Sequence, residues 1–178
     1  GAFNHAAEPQ RLTTDGKLKF DPQFTPDGKS VVYTMELRPN LRCLMRLDLA
    51  SGKVERFHVG ENNSEFSATF SADGRFYACC HNNGNLHIDL YIKQIATGEI
   101  AKYNAGGGFA GVRSPTFAPD GSRVVFALPE EGVNQQLFAV DARAENRVAL
   151  MKDEGFNMCP SFAPDGRRIA FASTRDGN

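Results

Sequence analysis

The sequence predicts an all-β fold of repeated four-stranded antiparallel units, and three observations carry that prediction. First, a five-residue pattern recurs four times: FTPDG (24–28), FSADG (70–74), FAPDG (117–121) and FAPDG (162–166). Its Phe returns at steps of 46, 47 and 45 residues, a period that belongs to solenoids, propellers and arrays. Second, 17 Gly, 9 Pro and 14 Phe, with few tracts of good helix formers, favour short strands joined by turns. Third, each interval between PDG turns divides into apolar runs that follow one another in the same order.

Taken in order, each unit opens on a short strand a: 21–24, 67–70, 114–117 and 159–162. The turn then places Pro at its second position (Ala72 in the second copy), Asp at the third and Gly at the fourth. Pro fixes φ near −65°, Asp tolerates the bridge region and Gly takes the left-handed conformation that closes a tight hairpin. Strand b follows at 30–35, 76–80, 123–128 and 168–173, rich in β-branched and aromatic residues as burial on both faces requires. Strand c is 44–49, 90–95 and 137–142, and a Gly turn leads to strand d at 54–59 and 100–103. In the third copy RAEN (143–146) replaces the Gly turn before 147–150, so its c–d loop should differ. Four antiparallel strands per unit make one blade of a β-propeller.

Residues 8–13 match the d register, with Leu12 aligned to Phe57, Tyr103 and Leu150. The predicted domain is therefore one partial propeller over 1–178: a leading d strand, three complete blades (17–59, 63–103 and 110–150) and a trailing a–b hairpin in a half blade at 156–178. Such an inventory is either part of a longer propeller, half of a head-to-tail homodimer that closes one ring, or a four-bladed ring lacking one strand c. Open sheet edges invite pairing, so self-association or a missing remainder is expected.

Lys and Arg number 20 against 21 Asp and Glu, spread without blocks of one sign. This gives no basic footprint for nucleic acid, and no apolar run reaches the roughly 18 residues of a membrane-spanning helix. Cys43, Cys79, Cys80 and Cys159 are too irregular for a disulfide framework, and are expected to be buried free thiols. Along a strand the side chains of Cys79 and Cys80 must point to opposite faces.

The stretch CPSFAPDGRRIAFASTRDGN (159–178), with SPTFAPDGSRVVFA (114–127) and DPQFTPDGKSVVYT (21–34) close to it, resembles the TolB-type, WD-like propeller repeat. SATFSADGRFYACC (67–80) is the most divergent copy. The resemblance implies a protein-interaction scaffold, periplasmic or secreted, and extends to propeller domains of prolyl-oligopeptidase-type enzymes. In those relatives the catalytic Ser, Asp and His lie on a separate hydrolase domain.

Motifs for chemistry are weak. GGGFAG (106–111) satisfies G-x-G-x-x-G, but Pro115 and the repeat register put a strand where a dinucleotide site needs a helix, so a crossover loop is expected. His58, His81 and His87 lack the carboxylates and spacing of a zinc site. Neither G-x-S-x-G nor H-E-x-x-H occurs, and the acidic pairs Glu130-Glu131 and Asp153-Glu154 read as solvated loop residues. The turn aspartates Asp27, Asp73, Asp120 and Asp165 recur once per blade, as turn chemistry does. The reading is a non-catalytic module with no metal and no cofactor, binding a protein or peptide. A fragment of a propeller enzyme, a carbohydrate lyase or a peptidase, is the alternative.

The short a–b and c–d turns share one face of the disc; the longer b–c and d–a loops share the other, where binding residues accumulate. Candidates on that loop face are His58, Asn63, Glu65, His81, Asn83, Arg113 and Asn157. Strand a is innermost in a propeller, so Asp21, Ser67, Ser114 and Cys159 should border the central channel.

Overall fold

The computed structural model describes residues 8–57, 64–84, 87–106, 111–129, 134–151 and 155–177. Every regular element among them is a strand. The first blade joins β1 (Lys19–Phe24), β2 (Ser30–Arg38), β3 (Leu41–Asp48) and β4 (Val54–Arg56). The second joins β5 (Glu65–Phe70), β6 (Phe76–Asn82), β7 (Ile88–Gln94) and β8 (Ile100–Tyr103). The third joins β9 (Arg113–Phe117), β10 (Arg123–Pro129), β11 (Gln135–Asp141) and β12 (Val148–Ala149). A two-stranded sheet of β13 (Asn157–Phe162) and β14 (Ile169–Ser173) completes the array. Each sheet is an antiparallel meander in chain order.

The PDG turns form as their residues dictate. Gly28, Gly74, Gly121 and Gly166 donate their amides to Thr25, Ser71, Ala118 and Ala163 at 2.8–3.0 Å. All four glycines have φ of +68° to +71°, where a Cβ would be strained. Asp27, Asp73, Asp120 and Asp165 each accept the amide two residues on at 2.9–3.0 Å, which stiffens the turn. In the third c–d loop Ala144 and Asn146 take φ of +62° and +54°, replacing the glycine found at the other two. The expected difference at RAEN thus resides in backbone conformation.

Blades stack face to face, and the second strand supplies both faces. Val124, Phe126 and Leu128 of β10 pack against Ala78, Cys80, Leu90 and Ile92 of the second blade. On the opposite side of β6, Tyr77 and Cys79 meet Val32 and Leu44 of the first blade. The vicinal cysteines therefore enter two different interblade cores, as strand alternation requires.

The motif Phe records which blades have a neighbour. Phe117 lies in the core between the second and third blades and is 5% exposed, whereas Phe24, against which no blade packs among the described residues, is 68% exposed. Residues 8–18 contain no strand, and a strand d forms only against a neighbouring strand c. Leu12 nevertheless lines a cavity with Val31, Tyr33 and Leu47 on the first blade. Phe57 sits comparably on the second blade, its ring centroid 5.0 Å from Tyr77.

Candidate functional site

Strands β5, β6 and β7 bring a polar cluster to the loop face, because Glu65 pairs with His81 and His81 with Asp89 across the sheet. His81 Nδ1 lies 3.4 Å from Glu65 Oε1, and the Tyr91 ring stacks on the imidazole at 4.0 Å between centroids, 5° from parallel. The Tyr91 hydroxyl donates to Asn83 Oδ1 at 3.2 Å, Asn83 Nδ2 donates to Asp89, and Asp89 Oδ1 accepts the Ala105 amide at 3.1 Å. Lys102 Nζ stands 4.8 Å from the Tyr91 centroid, within cation–π range. The cluster holds a buried imidazole against a carboxylate and offers Asn83 to solvent.

The other candidates are dispersed. Arg113 is exposed at the start of β9, its guanidinium donating to Val112 O at 3.4 Å. Asn157 is 0% exposed and donates to Gln136 Oε1 at 3.1 Å, so it ties β13 to the third blade beneath the surface. Glu65, His81 and Asn83 come together; Arg113 and Asn157 belong to other sites. His58 and Asn63 lie outside the described residues, as does most of GGGFAG, at 107–110.

A second polar site lines the channel. Asp21, Ser67, Ser114 and Cys159 border one cavity of about 300 Å³. They have φ of +51°, +54°, +47° and +52°, a left-handed conformation uncommon for non-glycine residues. Each falls at a break in the pairing between strands a and b, so a bulge turns the residue out of the ladder. The Ser67 hydroxyl donates to Asp21 Oδ2 at 2.6 Å, and the Ser67 amide donates to Thr34 Oγ1 at 3.0 Å. Ser114 Oγ is 3.8 Å from Cys159 Sγ.

Gln23, Thr69, Thr116 and Ser161 complete the polar wall and were missed by sequence reasoning. Their signal was present, because each is the residue immediately before the motif Phe. Cys159 corrects the expectation of four buried thiols, since it is exposed while Cys43, Cys79 and Cys80 are buried. Burial pushes the Cys80 thiol up to about 12 and drives Cys79 upward as well. Among the described residues no three His, Cys, Asp or Glu side chains are grouped to hold a metal ion. Nor is any helix there long and apolar enough to cross a membrane.

Stacked antiparallel meanders around a polar channel define an open β-propeller. The family model of the TolB beta propeller domain matches residues 85–178, more than half of the 178, and the chain belongs to that family. Among solved structures it is similar to TolB from Acinetobacter baumannii, with a TM-score of 0.72 and 20% identity over 90% of this chain and 39% of that one. An oligogalacturonate lyase in complex with manganese matches with a TM-score of 0.69 and 18% identity, over 94% of this chain and 50% of the lyase. The oligogalacturonate lyase of Vibrio parahaemolyticus gives 0.67 and 19%, over 94% and 50%. At these identities the likeness is one of fold, and the chain spans about half or less of each structure. No curated protein sequence matches it.

Proposed function

We propose that the chain is a non-catalytic TolB-like propeller module that binds a protein or peptide through its loop face. The observation that carries this reading is the asymmetry of the two faces. The turn face repeats one hydrogen-bonded PDG hairpin four times. The loop face differs by blade: the second carries Glu65, His81, Tyr91 and Asn83 as one network, and the third opens on the exposed Arg113. Non-equivalent polar groups on a rigid repeat are what partner recognition uses. The family resemblance supports placement in the periplasm or outside the cell.

The test is selection of displayed peptides on the immobilised protein, followed by binding to variants. Asn83→Ala and Arg113→Ala, both at exposed positions, should weaken the selected peptides at least about tenfold, roughly 1.4 kcal/mol. Lys29→Ala on the turn face should leave them unchanged. Peptides that respond to Lys29 and ignore Asn83 and Arg113 would place binding on the opposite face.

The second reading, a segment of a propeller lyase, draws on the likeness to the oligogalacturonate lyases. It predicts unsaturated product from oligogalacturonate supplied with manganese, followed by ultraviolet absorbance. Formation of that product would favour this reading over the first.

A further inference from the structure

The channel wall combines features that the loop-face reading does not use. Its volume, about 300 Å³, is at the lower end of small-ligand sites. Among the described residues Asp21 is the sole carboxylate on it, and no Lys, Arg or His lines it. The remaining polar groups are mostly hydroxyls, which can turn their oxygens toward a donor.

Asp21 also lacks the counter-charge that some acids of the outer surface have. Asp15 pairs with Lys19, Glu55 with Arg46 and Lys53, and Asp73 with Arg75. Among the described residues Asp21 makes no ion pair, and its hydrogen bond comes from the Ser67 hydroxyl. That donation polarises the serine oxygen and makes it a better acceptor. The bulge fixes both side chains in place, because Asp21 and Ser67 hold the same left-handed backbone in adjacent blades.

We infer that the channel wall is a binding site for an organic cation, an ammonium or guanidinium group such as a Lys or Arg side chain presents. The Asp21 carboxylate supplies the charge, and Ser67 and Ser114 supply acceptors beside it. Among the described residues an anion has no counter-charge in the cavity. This site is separate from the loop face, so either reading can fail while the other stands.

Cys159 provides a reporter on the same wall, since the other three thiols are buried. The full chain is treated with a cationic (trimethylammonium) and an anionic (sulfonate) methanethiosulfonate. Rates are normalised to those of a free small thiol, and Cys159→Ser identifies the reacting residue by abolishing the fast phase. The cationic reagent should react about fivefold or more faster, the size expected of one nearby charge in a partly screened cavity. The preference should shrink between about 0.01 M and about 1 M salt. Asp21→Asn should cut it about threefold or more, because Asn tolerates the left-handed backbone and carries no charge. Asp120→Asn, on the turn face, should leave it unaltered. A tetra-arginine peptide should slow modification in the wild type and lose that effect in Asp21→Asn. Equal wild-type rates, or a cation preference that survives Asp21→Asn in a folded variant, would overturn the inference. The wild-type comparison and its salt dependence stand even where a variant fails to fold.

Discussion

At the residue scale three turn aspartates, Asp27, Asp73 and Asp120, make the fold sensitive to acid. The Arg75 amide, the Ser71 hydroxyl and the Arg75 guanidinium bond the Asp73 carboxylate and lower it from 3.8 to about 2. Asp27 and Asp120 are lowered by the same kind of turn contacts. A depressed carboxylate stabilises the folded state above its unfolded pKa, and that contribution disappears as pH falls through the folded pKa. The melting temperature should therefore be flat from neutrality to about pH 4 and fall between there and about pH 2, the window set by 3.8 and about 2. Asp73→Asn should make that fall shallower in melts recorded from pH 5 to pH 2. The turn glycines separate two costs. Gly28→Ala meets nothing within 4 Å and bears only the left-handed backbone, about 1 kcal/mol. Gly121→Ala adds a Cβ 3.4 Å from that of Ser71, and should lose about 2 kcal/mol in denaturant titrations.

At the scale of the element, the same motif residue has opposite weight at different places in the stack. Phe117→Ala should cost about 3–5 kcal/mol, since the ring fills a core that cannot fully collapse. Phe24→Ala should change the monomer by no more than about 0.5 kcal/mol, because that ring faces solvent. Paired urea denaturations of the two variants check this. Strands b and c were legible because they are dense in β-branched and aromatic residues at fixed distances from the Gly turns. The first half of strand a was not. It begins at Lys19, Glu65, Arg113 and Asn157, upstream of a bulge that interrupts the alternation a reader would follow. The bulge left one trace in sequence: Asp21, Ser114 and Cys159 each precede a proline.

At the scale of the molecule, both ends of the array leave apolar surface exposed. Among the described residues the first blade presents an exposed Phe24, and β14 presents Ala170 and Ala172 to solvent and pairs with β13 alone. If two copies close one ring head to tail, both are buried and the solution mass should be about twice 19.5 kDa. Light scattering checks this, and a stable monomer at high concentration overturns it. If the ring does close, Phe24→Ala should weaken association while sparing the fold of each copy. The loop face was less legible than the stack. Asn157 stands in a loop register yet lies buried against Gln136, a partner 21 residues earlier on another blade. Which polar loop residue turns inward depends on the neighbouring blade, and no local pattern encodes it.

The bulge at the head of each innermost strand separates two duties that most positions must discharge together. Its backbone bends the strand, and the repeat sets that bend in the same way for Asp, Ser and Cys. Its side chain borders open space and bears little packing duty. The bore is thus a row of interchangeable letters, limited to residues that tolerate a left-handed backbone. Substitution there can redraw what the propeller admits, one blade at a time, without reopening the problem of how it folds.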